Sequence, residues 1–95
     1  MIHEIADITP NGAATLVSAV SAKAAWVGFT APLTNSATGI RVGGLGTDAS
    51  HGAIVSPGGG FLFPPLGNAN AYDLVTIKVF AAAGTDKIAV IYETN

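Results

Sequence analysis

Few side chains in this sequence could carry out catalysis. The two histidines are His3 and His51, and only His51 has a hydroxyl and a carboxylate close by, at Ser50 and Asp48. A Ser–His–Asp arrangement requires three side chains to converge, whereas neighbouring residues of an extended chain point to opposite faces. The sequence therefore predicts that His51 is a surface-loop histidine, and we expect no catalytic residues and no enzyme.

A glycine-rich run offers a second possible chemistry. The run Gly44-Leu45-Gly46-Thr47-Asp48-Ala49 matches the Gly-x-Gly-x-x-Ala pattern of dinucleotide-binding sites. That pattern binds a pyrophosphate only when a helix begins directly after the turn, within a strand–helix–strand unit. The residues that follow, Ser50-His51-Gly52, begin no helix. We therefore interpret the run as a loop between strands, and we expect no cofactor.

Metal binding is the third possibility. The chain has no cysteine, and its histidines and acids do not have the spacing of a zinc site. Asp48, Asp73 and Asp86 lie in or beside predicted loops and could share a calcium ion. Aspartate is also a common turn residue, because its carboxylate accepts hydrogen bonds from nearby backbone N–H groups. We favour the turn interpretation and predict no metal site.

The composition indicates binding rather than chemistry. Of the 95 residues, 49% are apolar and only 11% are charged, whereas an average soluble domain has about 25% charged residues. A chain of this length forms a single domain, residues 1–95, whose large surface has few charges to cover it. Exposed apolar surface usually marks an interaction site. We therefore expect a homo-oligomer, either a trimer or a dimer.

The charge distribution excludes two classes of partner. The four basic residues are scattered singly and the net charge is −2, so the basic stripe that nucleic-acid binding requires is missing. Glu4 and Asp7 stand where a signal peptide would carry basic residues. The apolar stretches are far shorter than the ~20 residues that cross a bilayer. We expect synthesis in a cytoplasm and no contact with nucleic acid or membrane.

Glycines and prolines divide the chain into segments of strand length. Strands are predicted over residues 2–8, 14–20, 24–31, 39–43, 52–55, 61–63, 74–80 and 87–93. In the last two, apolar and polar residues alternate about the turn at residues 83–86, which predicts an antiparallel hairpin. Short strands separated by frequent turns are typical of an all-β, antiparallel β-sandwich or jelly roll.

Trp26 lies on a strand whose two faces both carry apolar or small residues. Trp26, Gly28 and Thr30 share one face, and Val27 and Phe29 lie on the other. This pattern predicts a core tryptophan and a strand that is either central or buried at an interface. The alternative is an exposed tryptophan that forms a platform for a sugar ring.

Three consecutive large apolar residues, Phe61, Leu62 and Phe63, form the strongest candidate for an interface. On a strand they cannot all face inward, and the flanking glycines and prolines predict an exposed segment. We therefore predict that these residues, together with Leu45, contact a neighbouring subunit. The alternative is a core strand whose outward residue is covered by a loop.

The order of these features resembles the small structural proteins of tailed bacteriophages, especially head decoration, cement and head-fibre-like proteins. The resemblance is carried by residues 26–31, 40–43, the 57–59 turn before Phe63-Pro64, 72–74 with Ile77 and Val79, 83–88, Val90 and Tyr92. It implies a β-sandwich or jelly-roll subunit of the virion, made in the host cytoplasm and bound to the major capsid protein on the outside of the head. It implies no catalytic residues.

A second hypothesis comes from a different class. It is a carbohydrate- or receptor-binding module of the tail-fibre or lectin type, with Trp26, Tyr72 and Asp48 as its candidate residues. An enzyme is the third alternative.

Overall fold

Ten short strands and one turn of 3-10 helix make up the regular structure of the residues that the computed structural model describes, 1–66 and 71–94. The strands, numbered in chain order, are β1 (Ile2–Ile8), β2 (Thr15–Leu16), β3 (Lys23–Ala24), β4 (Trp26–Thr30), β5 (Ile40–Gly43), β6 (Ala53–Val55), β7 (Gly60–Phe63), β8 (Tyr72–Asp73), β9 (Lys78–Phe80) and β10 (Ile88–Glu93). The 3-10 turn spans Leu74–Thr76.

The strands form two four-stranded sheets and one small pair. The first sheet has the order β1-β10-β4-β7, the second has the order β2-β9-β5-β6, and β3 pairs with β8. All of these pairings are antiparallel. The expectation of an all-β antiparallel sandwich is confirmed.

One hydrophobic cluster lies between the two large sheets. Alternate residues of the central strands β10 and β4 point into it, including Phe29 and Ile88, and Ile40 and Val42 of β5 face them from the second sheet. Period-two alternation places these side chains on the inner face of each strand. β4 lies between β10 and β7, so the prediction of a central strand is confirmed.

The predicted C-terminal hairpin is wrong. The strand β9 pairs with β2 and β5 in the second sheet, whereas β10 pairs with β1 and β4 in the first. The chain between them crosses from one sheet to the other, and Leu74–Thr76 forms a 3-10 turn rather than strand. Alternation identifies a half-buried strand but does not identify the strand with which it pairs.

A buried carboxylate holds this crossing in place. Asp86 is 1% exposed, and its two oxygens accept hydrogen bonds from the Ser36 backbone N–H and the Ser36 hydroxyl. Beside it, the Asn35 side chain donates to the Lys87 carbonyl at 2.7 Å and accepts from the Lys87 N–H at 3.0 Å. The loop that follows β4 is thus joined to the crossing that precedes β10.

The strand predicted over residues 14–20 is shorter than expected. Only Thr15–Leu16 is strand. The Ser18 hydroxyl accepts from the Val20 N–H and donates to the Val20 carbonyl. Such local side-chain bonds compete with the strand ladder and favour a turn. The chain then forms the short strand β3, which the sequence pattern did not separate from the strand predicted over residues 24–31.

Candidate interaction surface

The segment Phe61–Phe63 lies in β7, at one edge of the first sheet. Its register pairs Phe63 with Val27 and Phe61 with Phe29, so both phenylalanines share the core-facing side of the sheet. The Phe63 ring packs 5.5 Å from the Phe29 ring and is part of the core boundary. Leu62 faces the opposite side and is 53% exposed. The segment is thus a sheet edge that presents Leu62 and part of Phe61 to solvent.

Exposed apolar side chains concentrate around this edge. Leu33, Phe61, Leu62 and Leu66 are four of the nine large apolar side chains that are exposed in the described ranges. Leu33 reaches the start of β7, since its Cδ2 lies 2.5 Å from where a Cβ on Gly58 would stand. We call these four residues the β7 edge. Residues 57–66 carry no charged side chain, so the edge is apolar and neutral.

Leu45, the fourth predicted interface residue, is part of a loop that joins two strands of the other sheet. It lies in the loop between β5 and β6 and is 59% exposed. Ile54 on the edge strand β6 is 54% exposed, and the register places it in one row with Arg41 and Phe80 across the outer side of the second sheet. We call this row, Arg41, Ile54 and Phe80, together with Leu45 of the adjoining β5–β6 loop, the second-sheet face.

A depression of about 310 Å³ opens on the second-sheet face. Its lining residues are Thr38, Gly39, Arg41, Ala49, Phe80 and Ala82. The Arg41 guanidinium donates to the Gly52 carbonyl at 2.9 Å, which holds this cation beside the depression. The face therefore combines apolar side chains with one fixed positive charge.

Trp26 lies on the outer side of the first sheet, and the prediction of a core tryptophan is wrong. The side chain is half-buried, and its Nε1 donates to the Glu93 carboxylate at 3.0 Å. The ring reaches over Gly28, with Cζ3 at 3.7 Å from where a Cβ on Gly28 would stand. The sequence signal for this arrangement is a glycine two residues after the tryptophan, on the same face of the strand. Gly28 has no side chain and so leaves room for the Trp26 ring.

The loop that contains His51 is held by Asp48. The Asp48 carboxylate accepts from the backbone N–H groups of Ser50 and His51 and lies 2.8 Å from His51 Nδ1. These hydrogen bonds lower the pKa of Asp48 below its ordinary value, and the bond from the Ser50 N–H contributes most. The predictions of a surface-loop histidine and of a glycine-rich loop between strands are confirmed, since the run 44–49 lies between β5 and β6.

Asp73 joins β3 and β8. Its carboxylate accepts from the Ser21 hydroxyl at 2.8 Å, from Lys23 Nζ at 3.1 Å and from two backbone N–H groups, those of Ala22 and Val75. The bond from Ser21 contributes most to lowering the pKa of Asp73 to about 2. The turn interpretation holds for Asp48, and for Asp73 through its bond from the Val75 N–H. It is wrong for Asp86, whose carboxylate accepts from Ser36, 50 residues away, and joins two distant segments.

Two further observations concern the described ranges as a whole. Within residues 1–66 and 71–94, no helix is long and apolar enough to cross a membrane, and no group of three or more His, Cys, Asp or Glu side chains is placed to hold a metal ion. The chain matches no protein-family model, no curated protein and no solved structure.

Proposed function

We propose that this protein is a non-enzymatic structural subunit that decorates or cements the outer surface of a tailed-phage head. The observation that carries the proposal is the exposure of large apolar side chains at Leu62 and Ile54 on the two sheets and at Leu45 in the β5–β6 loop. Exposed apolar surface is costly in water and usually marks a binding site. The resemblance to phage head proteins supports the major capsid protein as the partner.

The second-sheet face is our candidate for the contact with the capsid. Ile54 and Leu45 supply exposed apolar area, and the depression beside Phe80 can receive a side chain of the partner. Among the described residues, the Arg41 guanidinium donates to one carbonyl, that of Gly52, and its other N–H groups can meet a carboxylate or carbonyl on the capsid. An apolar patch with one oriented arginine has the composition of a protein–protein interface centre.

Binding of this kind stabilises a shell by linkage. A protein that binds only the assembled head shifts the assembly equilibrium towards the head, by an amount set by its affinity and concentration. A subunit of this type needs a neutral, rigid scaffold and an interface, and it needs no reaction centre. The sandwich described above provides the scaffold.

Co-sedimentation with phage heads tests the proposal. Heads of the phage that encodes the chain, prepared without this protein, should bind purified wild-type protein to saturation. Ile54→Lys should weaken binding at least tenfold, because it places a second cation beside Arg41 in the interface. Val20→Lys is the matched control, since Val20 is 73% exposed in the loop between β2 and β3. Absence of saturable binding by the wild type, or equal binding by the two variants, would contradict the proposal.

The placement of Trp26 favours a second candidate, a glycan-binding module. The indole is held by Glu93 on an outer sheet face, which suits stacking against a sugar ring. Tyr72 and Asp48 do not join it, because the Tyr72 hydroxyl donates to the Pro64 carbonyl and Asp48 caps its own loop. Trp26 is the one tryptophan of the chain, so a change in tryptophan fluorescence on titration with glycans would report binding. An unchanged spectrum across a glycan panel would count against glycan binding and would leave capsid binding as the one proposed function.

A further inference from the structure

We infer that two copies of this chain pair through their β7 strands, antiparallel about a two-fold axis, so that two four-stranded sheets join into one continuous sheet. This pairing does not depend on the capsid proposal. It follows from three features of the first sheet: the backbone groups that β7 directs outwards, the contrast between the two edges of the sheet, and the self-complementary sequence of the strand.

The outward backbone groups are those of Gly60 and Leu62. The Ala31 N–H donates to the Gly59 carbonyl at 3.0 Å, which fixes the alternation of the β4–β7 ladder. Phe61 and Phe63 therefore form the hydrogen-bonded pairs with β4, while the N–H and C=O of Gly60 and Leu62 point away from it. Within the described ranges these groups have no backbone partner. A strand edge of this kind is a template for another strand.

The opposite edge of the same sheet is protected. β1 carries the exposed Glu4, and its ladder is interrupted between Ile5 and Ile8, where Asp7 has a φ of 42°. A charge and an irregularity are the features by which proteins block edge-to-edge pairing. The β7 strand carries neither a charge nor a register shift. Among the residues that the structure describes, the sheet is therefore open to a further strand at β7 and protected against one at β1.

A second copy of β7 fits this edge. The segment Gly60–Phe63 is uncharged, so antiparallel self-pairing brings no like charges together. The register is set by Pro64, which has no N–H to donate. Pairing Gly60 with Leu62 of the other copy avoids Pro64 and forms about four backbone hydrogen bonds. The two-fold axis then passes between the two copies of Phe61.

This arrangement closes at two copies. After pairing, both β7 strands are used, and the free edges of the joined sheet are the two protected β1 strands, so this sheet does not extend further. The rest of the β7 edge, Leu33 and Leu66, adds exposed apolar side chains beyond the strand itself. A standard interface covers about 800 Å² per partner, roughly one-sixth of the 5050 Å² surface of one chain.

Two variants of matched exposure test the pairing by light scattering after size exclusion. Wild type should have the mass of a dimer, about twice the 9.5 kDa of one chain. Leu62→Lys should raise the dimer dissociation constant at least tenfold, because it places a charge next to the axis. Ile54→Lys, on an edge strand of the other sheet with the same exposure, should remain a dimer.

A cysteine placed on the axis tests the register. The chain has no cysteine of its own, so Phe61→Cys can form only an intermolecular disulfide. Directly opposed residues of a non-hydrogen-bonded pair are about 4.5 Å apart at Cα, within the range of a disulfide. Phe61→Cys should oxidise almost completely to a dimer at micromolar concentration. Leu62→Cys and Leu45→Cys should remain mostly monomeric on a denaturing gel.

The outcomes separate the inference from its alternatives. A monomeric or trimeric wild type, or a dimer that Ile54→Lys dissociates and Leu62→Lys does not, would overturn it. Circular dichroism of each variant shows whether it is folded. If Phe61→Cys is unfolded, the dimer dissociation constant of Leu62→Lys still tests the pairing. Because no capsid is present in these experiments, their result is independent of the capsid-binding assay.

Discussion

Removing the buried carboxylate of Asp86 should destabilise this protein more than any other single loss of charge. Every buried side-chain polar atom in the described ranges has a hydrogen-bond partner. Asp86→Ala would remove the acceptor of the Ser36 N–H and of the Ser36 hydroxyl, in a place where Asp86 itself is 1% exposed. The hydroxyl can still bond to Thr38 Oγ1, at 2.8 Å, so most of the cost comes from the N–H. It would also loosen the contact between the β4–β5 loop and the crossing that leads into β10.

The expected cost follows from the two hydrogen bonds that are lost. Hydrogen bonds to a charged group contribute about 1.5–3 kcal/mol each and are not additive when they share a partner, so we expect a loss of about 3 kcal/mol for Asp86→Ala. In a domain of this size that corresponds to a fall in melting temperature of roughly 12–24 °C. Asp86→Asn keeps an acceptor for one of the two donors and should lose about half as much.

Urea and thermal unfolding at pH 7 and one fixed protein concentration measure the effect. Glu4→Ala is the control, because it removes the same charge from an exposed position on β1 and should cost less than about 0.5 kcal/mol. If Asp86→Ala and Glu4→Ala unfold at the same urea concentration, the Asp86–Ser36 contact does not hold the crossing.

Three further perturbations probe other parts of the fold. Hydrogen bonds lower the pKa of Asp73 from 3.8 to about 2, so its ionised form stabilises the fold above pH 3.8 and this contribution is lost as the pH falls towards 2. The stability difference between wild type and Asp73→Asn should therefore shrink over that range in an acid titration, and a difference that is undiminished at pH 2 would contradict this. Ile88→Ala, at a fully buried position, should cost roughly 2–4 kcal/mol in urea unfolding, and a loss below about 1 kcal/mol would mean that Ile88 is not core. Gly39→Ala should cost at least about 1–2 kcal/mol, because φ is +73° and the new Cβ would lie 2.7 Å from the Val55 carbonyl oxygen. A neutral Gly39→Ala would show that the turn relaxes.

The strands could be predicted from sequence largely because their alternation is strong. The segment Ile2–Ile8 and the strands around Val27, Ile40 and Val90 were predicted with small errors at their ends. The strands with which β9 and β10 pair could not be predicted. An alternating strand followed by a glycine-containing turn has the same sequence pattern whether the chain folds back as a hairpin or crosses to another sheet. The distinction depends on Asp86 meeting Ser36, residues far apart in sequence.

The candidate interface, too, could be predicted from the sequence only in part. Three consecutive apolar residues required one to face outwards, and the structure identifies it as Leu62. Sequence could not reveal that β7 is an edge strand, nor that Leu45 belongs to a loop of the other sheet. It also placed Trp26 in the core, because the hydrophobicity of a tryptophan says nothing about a glutamate on the neighbouring strand that holds its Nε1.

Quantitative mass spectrometry of purified phage particles tests the central proposal most directly. If the protein decorates or cements the head, intact particles washed free of soluble protein should contain it in a fixed ratio to the major capsid protein. Particles from a phage that lacks the gene should disassemble at a lower temperature, and adding back the purified protein should restore their stability. Particles that contain no copies of the protein, although it is expressed during infection, would contradict the account.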